Sequence, residues 1–402
     1  MATHRIQRRE SRERVEPAQH FFATCPRGLE EALAAELNEL GLRDVEVGNA
    51  GVAFTGEWVD CQRANLTSRI ASRVLWRVGR GRYRNEDEIY RMAHALPWPR
   101  WFDVDRTIRV NVAAIRSPLR SLEFVTLRIK DAVCDKFREQ DDRRPSVDTL
   151  APDMRIHAFL TADEATLYLD TSGDALFKRG WRRQSGEAPL RENLAAGILR
   201  LTGWTPAEPL FDPMCGSGTF LVEAAQMARG IAPGLDRSFA FEKFLHHDVA
   251  TWQRVRDEVR NLERPDVVMS ISGVDRDPAA LAAVKRNLVD AGVGGSVRVT
   301  QGDVLDVSPP AEQGVLVTNP PYGVRMGDAD ALAEFYPRLG NALKQRFAGW
   351  RAFLFSADTR LPKLIGLKAQ RRTPLYNGAL ECRLYEYRII AGSLRRPVAA
   401  VS

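Results

Sequence analysis

The chain has 402 residues, 44% hydrophobic and 27% charged, a globular composition long enough for two or three domains. No apolar run approaches the ~18 residues of a membrane span, and the Arg/Glu-rich start from Met1 to Glu16 lacks the apolar core of a signal peptide. Cys25, Cys61, Cys134, Cys215 and Cys382 are scattered without a C-x-x-C pair, which argues against a disulfide framework or zinc cluster and leads us to expect a cytoplasmic protein.

Residues 1–16 carry mixed charge without periodicity and read as a disordered tail. His20 to Thr24 reads as a short strand. A helix is predicted over Leu29–Leu40, with Leu29, Leu33, Leu37 and Leu40 at helical spacing and Gly41 as the stop. Val45 to Phe54 alternates as strands, and Cys61 to Leu75 reads as a helix, so 17–76 fits a small α+β unit. A second unit is expected over 77–172. Ile108 to Ala113 alternates as a strand. Ser121 to Glu139 reads as a helix with Leu122, Val125, Ile129, Val133 and Phe137 on its apolar face and Arg128, Lys130, Lys136 and Arg138 elsewhere. Ile156–Leu160 and Ala165–Leu169 form a strand pair. The Arg/Gly-rich stretch 173–188 reads as a linker that leaves the two halves separable.

The net charge of +6 is concentrated between Asp60 and Lys130, which hold fifteen Lys/Arg against seven Asp/Glu. Such a surplus suits a polyanion better than a membrane surface, since no basic amphipathic helix accompanies it.

From residue 189 the rhythm changes. Helix Leu190–Leu201, strand Pro209–Asp212 and helix Thr219–Ala228 are followed by strand Val267–Asp275 and helix Pro278–Asp290. Strands Val297–Thr300 and Gly314–Thr318, helix Ala331–Phe347, strand Arg351–Ser356, helix Arg360–Ile365 and strand Cys382–Ile390 complete the pattern. Alternation over 189–391 predicts a doubly wound, mostly parallel α/β sheet, with 392–402 as a tail.

Three acids end successive strands of this sheet. Asp212 opens the turn Asp212-Pro213-Met214-Cys215-Gly216-Ser217-Gly218-Thr219, whose glycines permit close backbone approach before a helix with free N–H groups. Asp275, in Val274-Asp275-Arg276-Asp277, is placed to accept ribose hydroxyls, and Asp303, in Gly302-Asp303-Val304, to accept from an adenine amino group. After the next strand comes Asn319-Pro320-Pro321-Tyr322-Gly323. Proline fixes the backbone and has no N–H, so the Pro320 carbonyl and the Asn319 side-chain oxygen offer two acceptors about one amino group apart. Two hydrogen bonds to an exocyclic amine favour its pyramidal form and aim its lone pair, while Tyr322 can stack on the base.

DPMCGSGT, VDRD, GDV and NPPYG, in that order, resemble the class I S-adenosylmethionine-dependent amino methyltransferases. RRQSGEAPLRENLAAGILRL, FDPMCGSGTFLVEAA and IAPGL are similar to bacterial 23S rRNA guanine-N2 methyltransferases, and HAFLTADEATLYLDTSGDALFKRGWR resembles the end of their THUMP RNA-binding domain. The resemblance implies a Rossmann-like methyltransferase domain behind a ferredoxin-like segment (17–76) and a THUMP domain (77–172), with RNA as partner and S-adenosylmethionine as cofactor. It implies that Asp212, Met214, Cys215, Gly216, Ser217, Gly218 and Thr219 hold the methionine part, Asp275 the ribose and Asp303 the adenine, with Arg276 and Val304 also binding the cofactor. Asn319, Pro320, Pro321 and Tyr322 would receive the amine, with Asn319 also facing the cofactor. Arg109, Arg116, Arg120, Arg128, Lys130 and Arg182 are candidate RNA contacts. Some members carry a second methyltransferase domain, whose activity is expected to be absent here.

The same corner serves tRNA guanine-N2 or adenine-N6 chemistry, and a non-catalytic RNA-binding assembly factor is a further alternative. No metal is expected: His246-His247-Asp248 lacks partners at useful spacing and reads as a loop or helix cap. Trp98 and Trp101 suit either base stacking or core packing. Oligomeric state is not legible.

Overall fold

The computed structural model describes residues 18–182, 190–321 and 328–390, so both expected tails, part of the expected linker and Tyr322 lie outside the described residues. The first half comprises β1 (Gln19–Thr24), α1 (Glu30–Glu39), β2 (Arg43–Gly48), β3 (Gly51–Gly56), α2 (Trp58–Thr67) and β4 (Arg73–Arg82). It continues through α3 (Glu86–His94), β5 (Ile108–Ala114), α4 (Leu122–Asp141), β6 (Met154–Leu160) and β7 (Glu164–Asp170). Its strands make one sheet in the order β2-β3-β1-β4-β7-β6-β5. β5 and β6 are parallel and the other neighbours antiparallel.

The helix predicted over Cys61–Leu75 stops early. α2 ends at Thr67, and Arg73 onward enters β4, which pairs with β1 and β7. The run Val74-Leu75-Trp76 is apolar enough for a helix or a doubly covered strand, and its cross-strand partners decide. β4 also crosses the expected boundary at 76/77, so the two expected units share a sheet. α3, absent from the sequence reading, is capped by the Asn85 side chain, which accepts from Glu88 N. Trp98 is fully buried and packs edge-on against Trp101, as core aromatics do.

The second half contains α5 (Glu192–Leu201), β8 (Leu210–Asp212), α6 (Thr219–Arg229), α7 (Val249–Arg260), β9 (Ile271–Asp275) and α8 (Pro278–Asp290). β10 (Arg298–Gln301), β11 (Val315–Thr318), α9 (Asp328–Arg346), β12 (Arg351–Ser356), α10 (Leu361–Leu364), β13 (Arg371–Asn377) and β14 (Leu380–Arg388) follow. The sheet order is β10-β9-β8-β11-β12-β14-β13, with the first five strands parallel and the last two antiparallel. Alternate residues serve opposite faces: Leu210, Val315, Val317, Phe353 and Phe355 join one core, and Phe211, Leu316, Ala352 and Leu354 the other. The sheet is therefore covered on both sides. β13 was missed in sequence because Pro374 breaks the strand signal; as the outermost strand it tolerates a proline. α7 was missed too. The side chain of Asp248 caps it by accepting from Ala250 N, which explains the His246-His247-Asp248 cluster.

The halves share one hydrophobic core, contrary to the expectation that they separate. The Leu29 side chain fills the space over Gly197, where an added Cβ would stand 2.3 Å from it. Asn193 donates to Ile70 O at 3.1 Å and Ser72 Oγ at 2.9 Å. Glu223, on α6, is fully buried between Arg69 (3.1 Å) and Arg179 (3.2 Å). Arg179 also donates to the carbonyls of Arg69 and Leu176.

Candidate active site

Parallel β8, β9, β10 and β11 bring their C-terminal ends to one edge, and successive strands run outward on opposite sides of the β8/β11 pair. Such a reversal leaves a crevice at the edge. A cavity of about 640 Å³ lies there, lined from the strand ends by Pro213, Met214, Gly216, Asp275, Arg276, Gly302, Asp303, Val304, Asn319 and Pro321. Ala331, Leu332, Glu334, Phe335 and Arg338 of α9 close the other wall. That wall was not anticipated. Its signal is the i, i+4 spacing of Ala331 with Phe335 and of Glu334 with Arg338 in a helix that follows the diproline corner.

The glycine turn is held from several sides. Gly216 has φ +53°, and an added Cβ would meet nothing within 4 Å, so bare backbone faces the open cavity. Gly218 has φ +79°, and an added Cβ would lie 2.1 Å from Val284 Cγ2, so glycine lets α6 start hard against α8. Asn287 of α8, which the sequence reading missed, donates to Ser217 O at 2.8 Å. Asp275 accepts from Gly216 N at 2.8 Å through Oδ2 and from Asp277 N at 2.9 Å through Oδ1. Each oxygen keeps a lone pair for a further donor. Asp303 accepts from Leu305 N at 2.9 Å and likewise borders the cavity.

Among the expected cofactor residues, Met214, Gly216, Asp275, Arg276, Asp303, Val304 and Asn319 border the cavity. Asp212, Cys215, Ser217, Gly218 and Thr219 do not, although they belong to the turn that carries Gly216. Burial pushes the Cys215 thiol up, which leaves it unsuited to nucleophilic work. Asp212 is buried and accepts from Met214 N at 3.3 Å. Burial raises its carboxyl to about 7, with the Asp275 charge adding and the Met214 N–H hydrogen bond and the nearby Thr318 hydroxyl opposing.

The protonated form of Asp212 therefore stabilises the fold, fully below the ordinary value of 3.8, and that contribution is lost as pH rises through about 7. Asp212→Asn mimics the protonated acid. We expect it to gain stability relative to the parent from pH 4 to pH 8, by at most about 1.4 kcal/mol per pH unit. Thermal melts of both proteins across that range check this; a pH-independent difference would contradict it.

Asn319 follows β11, half-buried, with Pro320 buried and Pro321 exposed. Tyr336, fully buried in α9, donates to Pro321 O at 3.4 Å and ties the corner to the opposite wall. The Asn319 Oδ1 atom is buried and has no hydrogen-bond partner among the described residues. Leaving such an acceptor unsatisfied costs about 1–3 kcal/mol, which a ligand donor would relieve. Bare glycine backbone, two acids with spare lone pairs and this orphan acceptor, all on one cavity, fit an adenosyl cofactor beside an amine. Among the described residues no group of three His, Cys, Asp or Glu could hold a metal, and no helix is long and apolar enough to cross a membrane.

The expected RNA contacts diverge. Arg182 is only 10% exposed and bonds Leu190 O, Thr219 Oγ1 and Glu192 beside the cofactor turn, so it braces that turn instead of facing solvent. Arg128 pairs with Asp87 at 2.6 Å and stacks on Tyr90, and Lys130 pairs with Asp131 at 2.6 Å. Arg109 donates to Thr149 O at 2.5 Å. Arg116 and Arg120 are exposed.

Three family descriptions match the chain: an RMKL-like methyltransferase domain at 179–386, a THUMP domain at 83–170 and an RlmL ferredoxin-like domain at 20–75. The provisionally named RNA methyltransferase slr0064 of Synechocystis sp. is 39% identical, covering 92% of this chain and 96% of its own length. The ribosomal RNA large subunit methyltransferase K/L of Shewanella frigidimarina is 38% identical over 94% of this chain, which spans 54% of that protein's length. In structure, the chain is similar to SMU.472, a methyltransferase solved with SAH, at 33% identity and a TM-score of 0.83, covering 94% of this chain and all of the other. It is likewise similar to a protein of Listeria monocytogenes named as an N6-adenine-specific DNA methylase, at 32% identity and a TM-score of 0.84, covering 93% and 97%. With this strand order, this cavity and these likenesses, the chain belongs to the RMKL-like methyltransferase family, with a THUMP domain ahead of the catalytic one.

Proposed function

We propose that this protein transfers a methyl group from S-adenosylmethionine to the exocyclic N2 amine of a guanine in the RNA of the large ribosomal subunit, in the cytoplasm. The observation that carries the reading is the buried, unpartnered Asn319 Oδ1 on the same cavity as Gly216, Asp275 and Asp303. The K/L relatives' name and the SAH bound to SMU.472 support the substrate and the cofactor.

Bound along the glycine and acid wall, the cofactor supplies an electrophilic methyl. Asp275 would accept from the ribose hydroxyls and Asp303 from the adenine amine. The target base leaves its stack at a cost of about a few kcal/mol. Asn319 Oδ1 and the Pro320 carbonyl would accept hydrogen bonds from the amine's two N–H groups and aim its lone pair; as the new N–C bond forms, the broken S–C pair would stay on the cofactor's sulfur, and the methylated nitrogen would then release one proton to solvent. Pro321 fixes the corner, and Tyr322 would stack on the base. Catalysis is then positioning and hydrogen-bond polarisation. The corner would serve an adenine N6 amine equally well, the chemistry in the Listeria protein's name.

Incubation with methyl-labelled cofactor and ribosomal RNA, followed by nucleoside mass spectrometry, tests the reading. Labelled N2-methylguanosine is expected. Label in N6-methyladenosine, in transfer RNA alone, or in nothing would overturn it, the last pointing to a binding protein.

A further inference from the structure

The diproline corner is backed by the end of the neighbouring strand and by α9. β11 and β12 run parallel with Thr318 beside Leu354, so Asn319 and Asp358 leave the sheet at the same edge on adjacent strands. Tyr336 of α9 meets both. Its side chain is fully buried, and its hydroxyl donates to Pro321 O at 3.4 Å. The Asp358 carboxylate stands at the same hydroxyl. Burial, with the Asp358 charge adding, pushes the Tyr336 hydroxyl up to about 12, so it keeps its proton to donate.

A phenol has one proton, and two acceptors compete for this one, the Pro321 carbonyl and the Asp358 carboxylate. A bare carboxylate would win, because charge-assisted hydrogen bonds are roughly twice as strong as neutral ones. Arg360 opposes that outcome. Its Nε and Nη2 donate to the two Asp358 oxygens at 3.0 and 2.8 Å, and its backbone N–H adds a third bond at 2.9 Å. These bonds hold Asp358 below the ordinary carboxylate range. The Asp358 side chain is 9% exposed, whereas Arg360 is a surface residue and does not line the cavity.

We propose that Tyr336 is a positioning residue for methyl transfer, anchoring the Pro321 carbonyl, and that the Arg360–Asp358 pair keeps its proton there. The anchor acts through the two prolines. The peptide joining Pro320 to Pro321 is planar and the ring locks φ of Pro321, so the Pro320 carbonyl moves with whatever holds Pro321. Without the anchor that acceptor drifts off the amine, and a misplacement of about 1 Å can lower a rate about 10²-fold. The inference rests on the reading that the corner receives an exocyclic amine. It adds three residues that touch neither substrate nor cofactor.

The test uses the full chain with ribosomal RNA and methyl-labelled S-adenosylmethionine. Single-turnover rate at saturation, KM for RNA, cofactor affinity and thermal melting are measured for the parent, Tyr336→Phe, Arg360→Gln, those two combined, and Arg360→Gln combined with Asp358→Asn. Tyr336→Phe is expected to lower the rate about 10- to 100-fold, with KM, cofactor affinity and melting nearly unchanged. Arg360→Gln lowers it about 2- to 12-fold, the worth of one neutral hydrogen bond. Arg360→Gln has no further effect once the Tyr336 hydroxyl is gone, and Asp358→Asn restores most of the rate lost in Arg360→Gln by removing the competing charge. A full rate in Tyr336→Phe overturns the proposal. So does an Arg360→Gln rate that is unchanged, or that falls equally with and without the hydroxyl. A loss tracked by cofactor affinity and melting, which marks a structural role alone, overturns it too. Label in N6-methyladenosine would sink the guanine reading and leave the anchor standing, since the corner serves either amine; a parent that labels nothing sinks both.

Discussion

Replacing Asn319 with Ala is expected to lower methyl transfer on the order of 10²- to 10³-fold, the usual loss when one preorganised hydrogen-bonding group is removed from a reacting centre. An exocyclic amine is a poor nucleophile because its lone pair is delocalised into the ring. The side-chain oxygen of Asn319 lies buried at the cavity wall without a hydrogen-bond partner among the described residues, and under the proposed reaction the target amine would give it one. The loss should appear in kcat at saturating RNA and cofactor, with equilibrium binding of S-adenosylmethionine retained, since Gly216, Asp275 and Asp303 are untouched. Asn319→Asp keeps an acceptor at that position and should recover part of the rate. Single-turnover kinetics alongside isothermal titration separates the two quantities. Full turnover in the Ala variant would remove Asn319 from the chemistry.

Replacing Glu223 with Ala is expected to destabilise the whole chain by about 3–5 kcal/mol, because it leaves two buried arginines without their counter-charge. The Glu223 side chain is fully buried, with Arg69 12% and Arg179 2% exposed around it. Burial pulls Arg69 below its ordinary range while the neighbouring Glu223 charge holds it up. Glu223 sits on α6, whose start forms the glycine turn, so cofactor affinity should fall with stability. A single cooperative melt at lower temperature is expected, since the two halves share a core. An unchanged melting temperature, or two separate transitions, would contradict this. For the same reason, deleting residues 1–172 should give an unfolded chain, because Asn193, Gly197 and Glu223 lose the residues that cover them.

The catalytic half was legible in sequence because each of its strands is short, apolar and closed by a distinctive turn. Asp212, Asp275, Asp303 and Asn319 could be placed on one edge by counting alternating elements alone. The α9 wall was not legible, because Glu334, Phe335 and Arg338 look like ordinary residues of an amphipathic helix until the fold brings them over the strand ends. The upstream half was read less well. Period alone does not tell a buried strand from a helix at Val74–Trp76, and the partner strands that settle it are remote in sequence. Counting basic residues pointed to a polyanion partner but not to which side chains are free to meet it. The charges of Arg128, Lys130 and Arg182 are met by Asp87, Asp131 and Glu192, and composition carries no record of such pairing.

A crystal structure of the protein with S-adenosylmethionine tests the account most directly. The adenosyl group should lie against Gly216, Asp275 and Asp303, with the transferable methyl turned toward Asn319 Oδ1 and the Pro320 carbonyl. Cofactor bound elsewhere, or a methyl pointing away from that corner, would contradict it.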